Sequence, residues 1–127
     1  MTTELFPMYC DAPERVVIFG SFAPNGSSAV ASASNKGDGG WSVAWTSTGL
    51  FTITFDDTYA DLVYFGSKLQ LATGSDKYTQ EGTWTSSART MTVRVWDASD
   101  AAVADVSANA NNRINFMAVF RNTQLQP

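Results

Sequence analysis

The chain has 127 residues, a net charge of −4 and a pI near 4.5, with 44% apolar but only 16% charged residues. That length fits one domain able to bury a real core, and the apolar content argues against disorder. The acidic balance, with no run of Lys or Arg, excludes the electrostatic footprint of a nucleic-acid binder and of a polybasic membrane anchor.

There is no His and one cysteine, Cys10. The commonest general base and metal ligand is therefore missing, and neither an intrachain disulfide nor a zinc knuckle can be assembled. No apolar run approaches the about 20 residues of a membrane-spanning helix, so neither a signal peptide nor a membrane span is expected. A surface this poor in charge has to be covered by Ser, Thr, Ala, Asn and Gly. Such surfaces suit contact with neighbours, because a buried charge needs a partner.

Residues 1–13 form the first unit, an extended N-terminal arm. Pro7 and Pro13 interrupt any regular element, yet Leu5, Phe6, Met8 and Tyr9 place large apolar groups there. The arm is either a frayed terminus or a segment that docks on a partner. Residues 14–127 read as one β domain. Arg15 to Phe22 is rich in β-branched and aromatic residues and stops at the turn signal Ala23-Pro24-Asn25-Gly26. Ser27 to Ser34 reads as a weak strand of small residues, and Asn35 to Gly40 as a loop. Trp41, Val43 and Trp45 share one strand face.

Leu50 to Phe55 alternates, with Phe51, Ile53 and Phe55 facing in. Asp61 to Gly66 is apolar on both faces, and Lys68 to Ala72 extends it beyond a bend at Gly66. Tyr78 to Ser86 places Gln80, Gly82 and Trp84 on one face. Met91, Val93 and Val95 alternate against Thr92, Arg94 and Trp96. Ala102 to Val106 is short, and Asn112 to Asn122 is the final strand. Eight to nine short strands with turns every eight to twelve residues are the pattern of a single antiparallel β-sandwich or jelly roll.

Two strands lack the alternation of a sheet with one wet face. Ile114, Phe116, Ala118 and Phe120 line one side of the last strand, and Met117 and Val119 the other. Leu62, Tyr64 and Phe65 belong to a strand with the same property. The second face is covered either by a loop of the same chain or by another subunit. The expected interface residues are Leu62, Tyr64, Phe65, Phe116, Met117, Val119 and Phe120.

Side chains capable of chemistry are scattered. Asp56-Asp57 and the set Asp97, Asp100 and Asp105 could serve glycoside hydrolysis or hold calcium, but Asp is an ordinary turn former and no EF-hand spacing occurs. Without His a serine triad has no base. Lys36, Lys68 and Lys77 lie in polar settings that keep a lysine protonated. Cys10 sits beside Asp11, whose charge disfavours the thiolate. The glycines at 37, 39 and 40 do not join a strand to a helix, so no phosphate cradle is implied. Trp41, Trp45, Trp84 and Trp96 are core residues or a sugar-stacking platform, with Trp96 the best placed for exposure beside Thr92 and Arg94. No enzyme and no cofactor is expected.

The stretches Gly20-Ser-Phe-Ala-Pro-Asn-Gly26, Thr46-Ser-Thr-Gly-Leu-Phe-Thr-Ile-Thr-Phe-Asp-Asp57 and Asn109-Ala-Asn-Asn-Arg-Ile-Asn-Phe-Met-Ala-Val-Phe-Arg-Asn122 resemble tailed-bacteriophage virion proteins, namely head decoration (cement) proteins and related tail or fibre modules. The segment Gly49 to Phe55 and the last strand are also similar to the trimeric jelly rolls of the complement and tumour-necrosis-factor type. The resemblance implies a homotrimer on the virion that contacts the major capsid protein or another virion protein, with no nucleic acid and no membrane as partner. It also implies that one face of the last strand approaches a three-fold axis. A tail-fibre or receptor-binding module that recognises host surface glycans is the alternative it leaves open.

Overall fold

The computed structural model describes residues 15–121, and all nine of their strands pair antiparallel. They are β1 (Arg15–Phe22), β2 (Lys36–Gly37), β3 (Trp41–Ser47), β4 (Leu50–Phe55), β5 (Asp61–Gln70), β6 (Lys77–Thr85), β7 (Thr90–Asp97), β8 (Ala102–Val103) and β9 (Arg113–Arg121). One sheet has the order β2-β1-β9-β5. The other runs β3-β4-β7-β6, with β8 pairing to β7. The two sheets pack face to face as an antiparallel β-sandwich of jelly-roll character, as the strand spacing predicts.

The period-2 patterns decide which way the strands face. Phe51, Ile53 and Phe55 of β4 and Val93 and Val95 of β7 are fully buried. Opposite them, β9 buries Ile114, Phe116, Ala118 and Phe120, and β1 buries Ile18 and Phe22. Aromatic rings bridge the layers. Phe120 meets Phe55 edge-on at 4.8 Å, and Phe116 meets Trp41 edge-on at 4.9 Å. These geometries put a ring's positive edge against a negative face. Gly20 makes the second contact possible, because a Cβ there would collide with both the Phe116 and the Trp41 rings.

Three local readings of the sequence need correction. Ser27 to Ser34 forms no strand; it holds an Asn25–Ser28 bridge and a short 3-10 turn at Ser32–Ser34. Its side chains are small, so no apolar face was available to hold a strand on the core. The segment from Asn35 to Gly40 is more than a loop. It supplies β2, and Asp38 donates its N–H to the Phe19 carbonyl and accepts the Phe19 N–H. In β6 a bulge between Glu81 and Trp84 rotates the chain. Gln80 thus pairs with Arg94 on the outer face, while Trp84 packs inward against Phe55 and Phe120.

The loops are tied by one buried and one half-buried polar side chain. Asn112 accepts the Ala72 N–H at 2.8 Å and donates to the Ser107 carbonyl at 3.0 Å. Asp105 accepts both the Trp45 indole N–H and the Gly49 N–H. Gly49 turns the β3–β4 hairpin at φ +64°, so close to Ala104 and Val95 that a side chain would have no room.

Candidate functional site: the outer face of the first sheet

Alternation along β1 and β9 sends Val17, Phe19, Met117 and Val119 to the outside of the β2-β1-β9-β5 sheet. The register brings them together, with Val17 opposite Val119 and Phe19 opposite Met117. On the far side of β9, a bulge between Leu62 and Tyr64 shifts β5. Tyr64 thereby faces Val119 from the outside, and Phe65 turns into the core opposite Ala118. Phe19, Val63 and Tyr64 are 49%, 50% and 53% exposed. The Tyr64 ring reaches over Gly66, filling the place of its missing side chain. An apolar patch therefore crosses all three strands.

Between Phe19 and Tyr64 the surface dips into an open groove of about 500 Å³ over Met117 and Gly66, rimmed by Lys68 and Asn115. At its end, one oxygen of the Glu81 carboxylate accepts both the N–H and the hydroxyl of Ser67. That contact ties the edge of the first sheet to β6 of the second and satisfies an edge donor that would otherwise invite another strand. Charge is confined to the margin, where Arg121 lies 3.4 Å from Asp61.

The seven interface residues expected from the sequence divide between the two faces. Tyr64, Met117 and Val119 lie on the outer patch. Phe65, Phe116 and Phe120 do not. They are buried between the sheets, with Phe65 stacked on Phe116 at 5.5 Å, and are spent on the fold. Leu62 is half-buried against that same core. The arm residues Leu5, Phe6, Met8 and Tyr9, and the boundary of the arm at residue 13, lie outside the described residues. Sequence reasoning missed Phe19, Val17 and Val63. The signal was present, since Val16 to Phe19 is as apolar on both faces as the two strands singled out for that property.

The remaining candidates are structural where they make contacts. Asp105 serves the β3–β4 hairpin, and Asp97 accepts from the Ser99 N–H and hydroxyl within its own turn. The Ser99 hydroxyl bond is the main reason the Asp97 carboxyl is held below its ordinary pKa, with the Ser99 amide and Lys77 adding to it. Trp41, Trp45 and Trp84 belong to the core or pack against it. Among the described residues, no group of three or more His, Cys, Asp or Glu could hold a metal ion. Comparison of the chain with protein families, with curated proteins and with solved structures finds no match.

Proposed function

We propose that this protein is a structural component of a tailed-phage virion, a decoration protein that trimerises on the head surface and stabilises it. The observation that carries the reading is the apolar patch of Phe19, Val63, Tyr64, Met117 and Val119 on an outward sheet face. Contiguous apolar surface of this kind marks an interaction site, and a sheet face is flat enough to take a second copy. Phe19, Val63 and Tyr64 are each about half exposed, so covering them contributes roughly 1 kcal/mol apiece. The resemblance of the Gly20–Gly26, Thr46–Asp57 and Asn109–Asn122 segments to virion proteins supplies the biological setting. The role is mechanical: a trimer bridging neighbouring capsid subunits adds interface area that resists the pressure of packaged DNA.

Native mass spectrometry at micromolar concentration is expected to give three copies. Val119→Asp places an unpaired charge at the centre of the patch and should yield a folded monomer, since an uncompensated buried charge costs about 3 to 5 kcal/mol. A wild-type protein that stays monomeric under these conditions overturns the assembly. Particles stripped of decoration and mixed with the purified protein should bind it in a lattice visible by electron microscopy, and smooth, unoccupied heads would remove the virion role.

A further inference from the structure

The opposite sheet presents a different surface. Its outer face is laid out in rows by the strand register. Thr90 and Thr54 lead to Ser42, and Thr92 and Thr52 lead to Ala44, so that end is neutral and hydroxyl-rich. The next row sets Gln80 opposite Arg94. In the last row Tyr78 on β6 faces Trp96 on β7, which faces Val103 on β8. Tyr78 is 50% exposed, and Val103 is also exposed. The Trp96 indole N–H donates to the Gln80 side-chain oxygen at 2.7 Å. That bond fixes the indole and uses its only polar group, so its remaining free surface is apolar ring.

We infer that Tyr78 and Trp96, flanked by Gln80 and Arg94, form a platform that binds a pyranose ring of a glycan. The C–H face of a pyranose carries partial positive charge and suits the negative face of an aromatic ring. The ring hydroxyls need donors and acceptors beside that contact. The Gln80 amide nitrogen and the Arg94 guanidinium supply donors. Other occupants fit less well. A protein partner would need roughly 800 Å² and some 20 to 30 residues a side, whereas the apolar residues here are Tyr78, Trp96 and Val103, with a half-buried Leu50 in the neighbouring row. A nucleic-acid base could stack here, but a chain of net charge −4 without a basic run lacks the phosphate attraction that such binding draws on. The platform lies on the other sheet from the Phe19–Tyr64 patch, so it stands or falls independently of trimer formation.

The test uses the full chain on a printed array of oligosaccharides containing hexose, N-acetylhexosamine, deoxyhexose and uronic acid rings. The best-bound oligosaccharide is then titrated by calorimetry and by tryptophan fluorescence. Binding with a change in Trp emission is expected, weakened on the order of tenfold or more by Tyr78→Ala, the loss of one stacked ring. Gln80→Ala, which frees the indole without removing an aromatic ring, should weaken it several-fold. Trp96→Phe should retain part of it. An array with no spot above background overturns the proposal. So does binding that folded Tyr78→Ala and Gln80→Ala proteins both keep.

Discussion

The ring of Phe116 occupies the space that a side chain at Gly20 would need, directly across the β1–β9 pair. Trp41 closes the same space from the other sheet. Adding one methyl at Gly20 therefore forces two large rings to move in a packed core. Gly20→Ala is expected to destabilise the domain by about 1 to 3 kcal/mol, in spite of the backbone entropy that Ala saves in the unfolded chain. Urea unfolding monitored by Trp fluorescence reads this directly. A neutral or stabilising substitution would mean that the two rings are not packed as described.

Asp105 holds two donors at once, the Trp45 indole at 2.9 Å and the Gly49 amide at 2.8 Å. Asp105→Ala leaves both without their acceptor and loosens the β3–β4 hairpin from the segment that follows β8. A loss of about 2 to 3 kcal/mol is expected, with Asp105→Asn recovering part of it because an amide oxygen still accepts. The Trp45 indole N–H resonance should shift in both variants. An unmoved resonance would show that the bond does not exist in solution.

The Asp97 carboxyl titrates below its ordinary value, first because the Ser99 hydroxyl bonds to it and then because of the Ser99 amide and Lys77. A lowered carboxylate pKa favours the ionised form in the fold. Its contribution to stability is present above the unfolded-state value and fades as pH falls through the lower folded value. Removing the hydroxyl with Ser99→Ala is expected to raise the Asp97 midpoint toward the normal range in a carboxyl-resolved NMR titration. An unaltered midpoint would assign the shift elsewhere.

Tyr59 behaves in the opposite sense. Its ring stacks on Phe120 at 4.4 Å, and burial, followed by the charges of Asp57 and Asp56, pushes its pKa above the ordinary value. The neutral phenol is the form the fold favours. The associated stability is complete below the unfolded-state value and is lost as pH rises through the raised folded one. In an alkaline absorbance titration Tyr59 should ionise above the ordinary phenol range, and Tyr59→Phe should delete that late component. Early ionisation of Tyr59 would contradict the stacked position.

Strict alternation made most of the sandwich readable. Phe51, Ile53 and Phe55 could only be one face of a strand, and the same holds for Met91, Val93 and Val95. Bulges were invisible, because an inserted residue at Val63 or around Gly82 leaves the composition of a strand unchanged while reversing the faces beyond it. For β9 the pattern separated Phe116 and Phe120 from Met117 and Val119 but did not say which set points inward. That choice belongs to the partner sheet: Phe55 and Trp41 present rings that Phe116 and Phe120 meet edge-on, and Met and Val cannot replace that contact. The outer row of Tyr78, Trp96 and Val103 was out of reach for a related reason. It draws on three strands whose register only the folded sheets define.

Strand β9 lies between β1 and β5, so its neighbours are the first strand of the described domain and one from its middle. During synthesis β3, β4, β6 and β7 can leave the ribosome and pair while β1 and β5 still lack the strand that joins them. The inner aromatics of the second sheet then wait, uncovered, for residues 113–121. Topologies rich in distant pairings fold slowly as a class and leave apolar surface open while they do so. The Val119 patch exists only after β9 has docked, since Val17, Tyr64 and Val119 become neighbours through that strand alone. Before that step no outer row of this kind exists, so the exposed apolar surface belongs to the completed sandwich and to none of its parts.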